Sequence, residues 1–186
     1  MLRFPFVLLI FVLAFTQPSS AYSQARGEKA YQQHLNQVIR VNRQNTWHWQ
    51  RVLGLPLTHA ATRPEQIVSP AYRRYVARLW RQRWRHLRTH VRRPPHQSGW
   101  LCIHDGRGAS WGVGEGSWTA NTGNGYYGGL QMDLSFQRSY GGYLLRVKGT
   151  ANHWTPLEQV WTAERAYESG RGFYPWPNTA RACGLL

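Results

Sequence analysis

Apolar positions recur in steps of three and four along two stretches of the front half of this chain. From Gly27 to Val52, Tyr31, Leu35, Val38, Ile39 and Trp47 fall on one side, which predicts an amphipathic helix that Gly54, Pro56 and Pro64 interrupt. From Tyr72 to Arg93, Tyr72, Val76, Trp80, Trp84, Leu87 and Val91 repeat the pattern between Pro70 and the Pro94-Pro95 pair, predicting a second helix. The following Pro94 to Gly99 stretch is the expected linker, because two prolines stop a helix and small polar residues pack poorly. Beyond it the order reads as a helical start near Trp100, a glycine-aromatic loop, a helix over 130–140, a glycine turn, a helix from Pro156 to Glu168 and a proline-rich tail. Thr155-Pro156-Leu157-Glu158 has the spacing of a capping box, so Glu158 is expected to do a structural job, and Glu164 and Glu168 read as capping or surface carboxylates.

The chain start changes the picture of where the protein works. Arg3, the apolar run from Phe4 to Phe15 broken by Pro5, and Ser19-Ser20-Ala21 or Ser23-Gln24-Ala25 together predict a removable export signal over residues 1–25, with an uncleaved anchor as the alternative. No other stretch approaches the ~20 apolar residues of a membrane span. The mature protein is therefore expected outside the cytoplasm, as a secreted chain. With 186 residues, 42% of them hydrophobic and ten tryptophans, the chain has room for one domain plus extensions and is not disordered. In an exported chain the two cysteines, Cys102 and Cys183, predict one disulfide ahead of two free thiols or a metal pair.

Charge divides the chain. Up to residue 96 there are 16 Lys and Arg against two acids, Glu28 and Glu65; from 97 to 186 there are seven against six. Nine arginines lie between Tyr72 and Arg93. A solvated helix face explains them equally well as attraction to anionic cell-envelope polymers or lipid headgroups, whereas no nucleic-acid motif accompanies the charge. The expected organisation is a signal over 1–25, a basic helical extension and linker over 26–96, and a domain over 97–186.

The chemistry concentrates between Glu115 and Gln131. Glu115 is an isolated carboxylate followed by Trp118, Asn121, Thr122, Tyr126, Tyr127 and Gln131 on a glycine-rich loop. Tyrosine faces suit sugar rings, amides and hydroxyls can bond acetamido and hydroxyl groups, and glycines allow close backbone approach. The competing reading makes the tyrosines core and Asn124-Gly125 a turn. A carboxyl that delivers a proton near neutral pH needs shielding from water, and Trp118 or Trp111 could form that wall.

Asn-Thr-Gly-Asn-Gly-Tyr-Tyr-Gly-Gly-Leu-Gln at 121–131 resembles the signature of the resuscitation-promoting factor or transglycosylase-like domain of actinobacteria. Trp100 with Cys102, Glu158-Gln159, Ala163-Glu164-Arg165, Gly170-Arg171-Gly172, Pro175-Trp176-Pro177 and Cys183 follow in the order of that domain, so the resemblance covers roughly 97–186. It implies a mainly helical α+β, lysozyme-like domain, tied by a disulfide and acting on peptidoglycan glycan strands, with the basic helical extension in front. The family's glutamate usually follows the first cysteine directly. Here Ile103-His104-Asp105 follows Cys102, and the matching acid is displaced beyond an insertion to Glu115, with Asp105 as rival.

A single acid favours assistance by the substrate's own N-acetyl group over a protein nucleophile, leading to an anhydro sugar or, with water, to hydrolysis. Asp133 is the nearest other carboxylate. No cofactor is called for: His86 and His90 stand at i, i+4 but lack the glutamate of a zinc-protease motif, and no Gly-x-Ser-x-Gly occurs. The readings to separate are a secreted peptidoglycan-cleaving enzyme (lytic transglycosylase or muramidase), a non-catalytic wall-binding module, and a membrane-active or scaffolding factor led by the arginine helix.

Overall fold

A computed structural model describes residues 19–60, 62–106 and 115–186. The expected export signal falls largely outside them, and its last residues, from Ser19, belong to the first helix, α1 (Ser19–Val52). Helix α2 (Pro70–Val91) starts two residues ahead of the expected Tyr72: Ser69 Oγ accepts the Tyr72 N–H and Pro70 occupies the first turn, a position where a missing N–H costs nothing. α1 and α2 pack side by side, running the same way, on a small apolar core of Leu35, Ile39, Ile67, Ala77 and Trp80, with Trp47 edge-on to Trp80 at 5.9 Å between ring centroids. Tyr31 and Tyr72, expected on the apolar sides, are instead solvent-exposed.

The remainder is mainly helical with one small sheet, the α+β class expected. Helix α3 (Gln97–Asp105) is followed by the glycine-aromatic loop, strands β1 (Tyr126–Tyr127) and β2 (Met132–Asp133), then α4 (Leu134–Lys148), α5 (Pro156–Ala166) and α6 (Pro177–Ala182). β1 and β2 pair antiparallel, with Tyr126 opposite Asp133 and Tyr127 opposite Met132. The core gathers Trp100, Ile103, Leu130, Met132, Phe136, Leu144, Trp154, Trp161 and Trp176. Val52, at the end of α1, belongs to this second core as well, and Trp49 and Leu53 pack against it. One helix thus serves both cores.

Three expectations change. Gln97 to Gly99 do not form a loose linker: they open α3, while the His96 N–H and Nδ1 bond the two Glu164 oxygens at 2.7 and 2.9 Å. Glu164 is consequently fully buried rather than a capping or surface carboxylate. The helix expected over 130–140 begins only at Leu134, because the Asp133 carboxylate caps it through the Phe136 N–H. It also runs past the Gly141-Gly142 pair, which kinks it at Gly141 (φ −122°, ψ 22°) where the Trp154 ring presses too close for any side chain.

The expected pairing of Cys102 with Cys183 is present, with 6.0 Å between Cα atoms, joining α3 to the residue after α6. The capping box forms as spaced: Glu158 N–H to Thr155 Oγ1 and Thr155 N–H to Glu158 Oε2. The same carboxylate does more. Buried between helices, it accepts Lys148 Nζ at 2.7 and 2.8 Å and His48 Nε2 at 2.8 Å, pinning α1 to α4 and α5. Burial works against its charge, but the hydrogen bonds from His48, Lys148 and the Thr155 N–H prevail and bring the carboxyl from 4.5 down to about 2.

Candidate functional site

A groove runs between the β1–β2 hairpin and the chain that leads into α6. Its first section, of about 260 Å³, is lined by Glu115, Asn124, Tyr126, Gln131 and the Pro175 to Asn178 segment. Its second, of about 280 Å³, adds Asp133, Ser135, Phe136 and Arg171. Tyr126, Gln131, Pro175 and Trp176 border both, so the two sections are continuous. Trp176 forms a fixed floor: it is buried, and its indole N–H donates to the Leu130 carbonyl at 2.6 Å.

Glu115 stands half-buried at one end. Its Oε1 accepts the Thr179 hydroxyl at 2.8 Å, and Thr179 is carried by α6. Because the disulfide ties the end of α6 to α3, the carboxylate's direction depends on the covalent link 81 residues long in sequence. Asp133 lies in the second section with Oδ1 engaged as the α4 cap. Asp105, the rival acid, ends α3 and bonds His104 Nδ1 at 2.7 Å.

The hairpin owes its shape to backbone positions that few residues adopt. Gly123, Gly125 and Gly128 have φ between 75° and 84°, and a Cβ at Gly128 would run into the Gln159 amide. Gln131 takes φ 46° without being glycine, and its Nε2 donates to the Gly128 carbonyl at 2.9 Å. A non-glycine residue held left-handed at a groove wall marks a conformation that its surroundings enforce. Gln159, buried on α5, is the main enforcer: Oε1 accepts the Gly129 N–H at 2.8 Å, and Nε2 reaches the carbonyls of Trp118, Ala151 and Trp154 at 2.8 to 3.1 Å.

Of the sugar-contact candidates, the structure brings Tyr126 and Gln131 together with Glu115 on the groove. Trp118 packs elsewhere, stacked flat on His104 with 4.1 Å between ring centroids and against Gly129. Tyr127 leans on the core, Asn121 bridges to Tyr127 through the backbone, and Asn121 and Thr122 are exposed. Trp111 lies outside the described residues. Among the described residues no group of His, Cys, Asp or Glu is arranged to hold a metal ion.

Sequence reasoning missed Asn124, Arg171, Trp176, Asn178 and Thr179 as groove residues. The signal was the Cys102–Cys183 pair, which forces the tail back onto α3 and hence against the glycine loop.

Residues 113–179 match the family model described as the transglycosylase-like domain. The chain carries a transglycosylase-like domain. It is 40% identical over 70 residues to resuscitation-promoting factor Rpf1 of Corynebacterium glutamicum, which covers 38% of this chain and 35% of that protein. It is 39% identical over 66 residues to resuscitation-promoting factor RpfE of Mycobacterium tuberculosis (36% and 35%) and 36% over 70 residues to resuscitation-promoting factor Rpf of Micrococcus luteus (38% and 29%). The chain spans about a third of the length of these curated relatives. The matched span begins just before Glu115 and ends at Thr179, so it takes in the whole groove, while α1 and α2 lie before it.

Proposed function

We propose that the transglycosylase-like domain cleaves the glycan strands of peptidoglycan, outside the cytoplasm, with Glu115 as general acid and then base. The observation that carries this reading is the half-buried Glu115 carboxylate on a groove shared with Tyr126 and Gln131. Protonated, it hands its proton to the glycosidic oxygen as the bond to the anomeric carbon breaks. The acetamido oxygen of the same sugar closes onto that carbon, holding the positive charge that a protein nucleophile would otherwise take. Asp133 is ill suited to that second part, being committed to capping α4. The Glu115 carboxylate then removes a proton either from a hydroxyl of the same sugar, giving an anhydro end, or from water.

The test is muropeptide release from purified walls. Glu115→Gln keeps the shape and removes the acid, so release should fall by about 10²-fold or more while wall binding persists. Asp105→Asn should stay within a few-fold of the parent. Undiminished release by Glu115→Gln, or its loss in Asp105→Asn alone, overturns the assignment.

A second reading, a wall-binding module without catalysis, draws on the Thr179 hydroxyl that occupies Glu115 Oε1 and on the displacement of the acid from Cys102. It is the right one if the parent chain binds walls and releases nothing, by mass spectrometry of the soluble fraction.

A further inference from the structure

Arg74, Arg78, Arg81, Arg85, Arg88 and Arg92 follow one another at intervals of four, three, four, three and four. On an α-helix that sequence of steps keeps every one within about 40° of a common line, and the line is about 27 Å long. All six are exposed along α2 and at its C-cap, and none forms an ion pair among the described residues. The helix contains no acidic residue. Neighbours at i+3 and i+4 therefore repel, and the fold does nothing to relieve it.

The remaining arginines of this helix show what structural use looks like. Arg73 bonds Gln32 and the Ile67 carbonyl, and Arg83 covers the Trp80 ring at 5.0 Å. Arginines in the stripe have no such employment. A row of single-sign charge at a mean spacing of about 5 Å is complementary to a linear polyanion lying along the helix. A membrane is a poorer match, because Ala77, Trp80 and Val91 on the apolar side of α2 are buried, and its exposed aromatics, Tyr72 and Tyr75, stack on each other in the first two turns instead of flanking the length of the row. Stacked bases are a poorer match too, since no aromatic stands within the row and stacking platforms are what single-stranded nucleic acids use.

We infer that α2 is a docking surface for a linear phosphodiester polymer of the cell envelope, gripped through its backbone phosphates by these six arginines. The source of the polymer rests on the export proposed above; the binding itself does not depend on cleavage. Recognition is of charge and spacing rather than of the repeating unit, so contacts are to phosphate and affinity falls steeply with salt.

The experiment uses the full chain and a labelled poly(glycerol phosphate) oligomer longer than the stripe. With six contacts at roughly 0.7 released counterions each, affinity should fall by a few hundred-fold between 50 and 200 mM salt. The combined Arg78→Gln, Arg81→Gln, Arg85→Gln variant should halve the slope of log affinity against log salt. Its muropeptide release from phosphate-free peptidoglycan should be unchanged, and circular dichroism should report intact helices. A control with Arg138, Arg146 and Arg181 replaced by Gln, all exposed and away from the stripe, should keep the full slope. Undetectable binding at low salt overturns the inference. So does equal weakening in the control, which would assign the effect to diffuse net charge. Preference for anionic vesicles, or for single-stranded DNA over the glycerol polymer, overturns it as well. Loss of cleavage in Glu115→Gln with oligomer binding intact separates a failure of the enzyme reading from a failure of this one.

Discussion

The α1–α2 pair and the transglycosylase-like domain hold themselves together by different means. The pair buries a few large apolar groups, chiefly Leu35, Ile39 and Trp80, and leaves its outer face to arginine. The domain buries polar side chains at its centre: Gln137, Gln159, Glu158, Glu164 and Thr162 are all inaccessible, and the first four are bonded to backbone or to side chains of other elements. Apolar contacts tolerate sliding, whereas a buried amide must meet its partners or lose them. Two of these side chains fix the hairpin at the groove, Gln159 through the Gly129 N–H and Gln137 through the Met132 carbonyl.

The sharpest way to break this contrast is to remove the disulfide. Cys102→Ser with Cys183→Ser should cost the domain about 4 kcal/mol, since the closed loop is long. Hydrogen exchange should then show protection lost over α3, α6 and the Glu115 backbone while α1 and α2 keep theirs. Uniform loss would mean that the two regions unfold as one unit. Gln159→Leu should follow at about 3 kcal/mol, because it leaves the Gly129 N–H and one or more carbonyls without partners in the interior. Urea denaturation measures that loss, and muropeptide release should fall with it as the hairpin loosens.

The smallest effect concerns the joint between the regions. Glu158 has a folded-state value near 2 against an ordinary 4.5, so its contribution to stability is complete above pH 4.5 and disappears as pH falls toward 2. Its neighbours across the joint are His48, itself 3.2 Å from the Tyr143 hydroxyl, and Lys148. Thermal melting between pH 5 and pH 2 should therefore drop less in Glu158→Gln than in the parent. Parallel curves would refute the role given to this carboxylate.

Local chemistry was legible in the sequence wherever it was complete within a few residues. Pro70 and Pro94-Pro95 bound α2, Thr155 and Glu158 close their box, and the two cysteines pair. Long-range roles were not. Nothing near Glu164 announces that His96 will bury it, and nothing near Thr179 announces that its hydroxyl will meet Glu115 64 residues back in the chain. Trp118 illustrates the same limit from the other side. Its position beside the loop suggested a sugar contact or a wall for Glu115, yet its ring is stacked on His104 of α3.

Helix α1 is a single rod of 34 residues, about 50 Å long, with its middle (Leu35, Ile39) in one core and its C-terminal end (Val52) in the other. No glycine or proline interrupts it between Leu35 and Val52, so there is no hinge at which the arginine row and the groove could swing independently. A molecule holding a polymer by one surface would carry its cutting edge at a constant stand-off, like a plane iron set in its block. The bonds within reach are then chosen by geometry as much as by affinity.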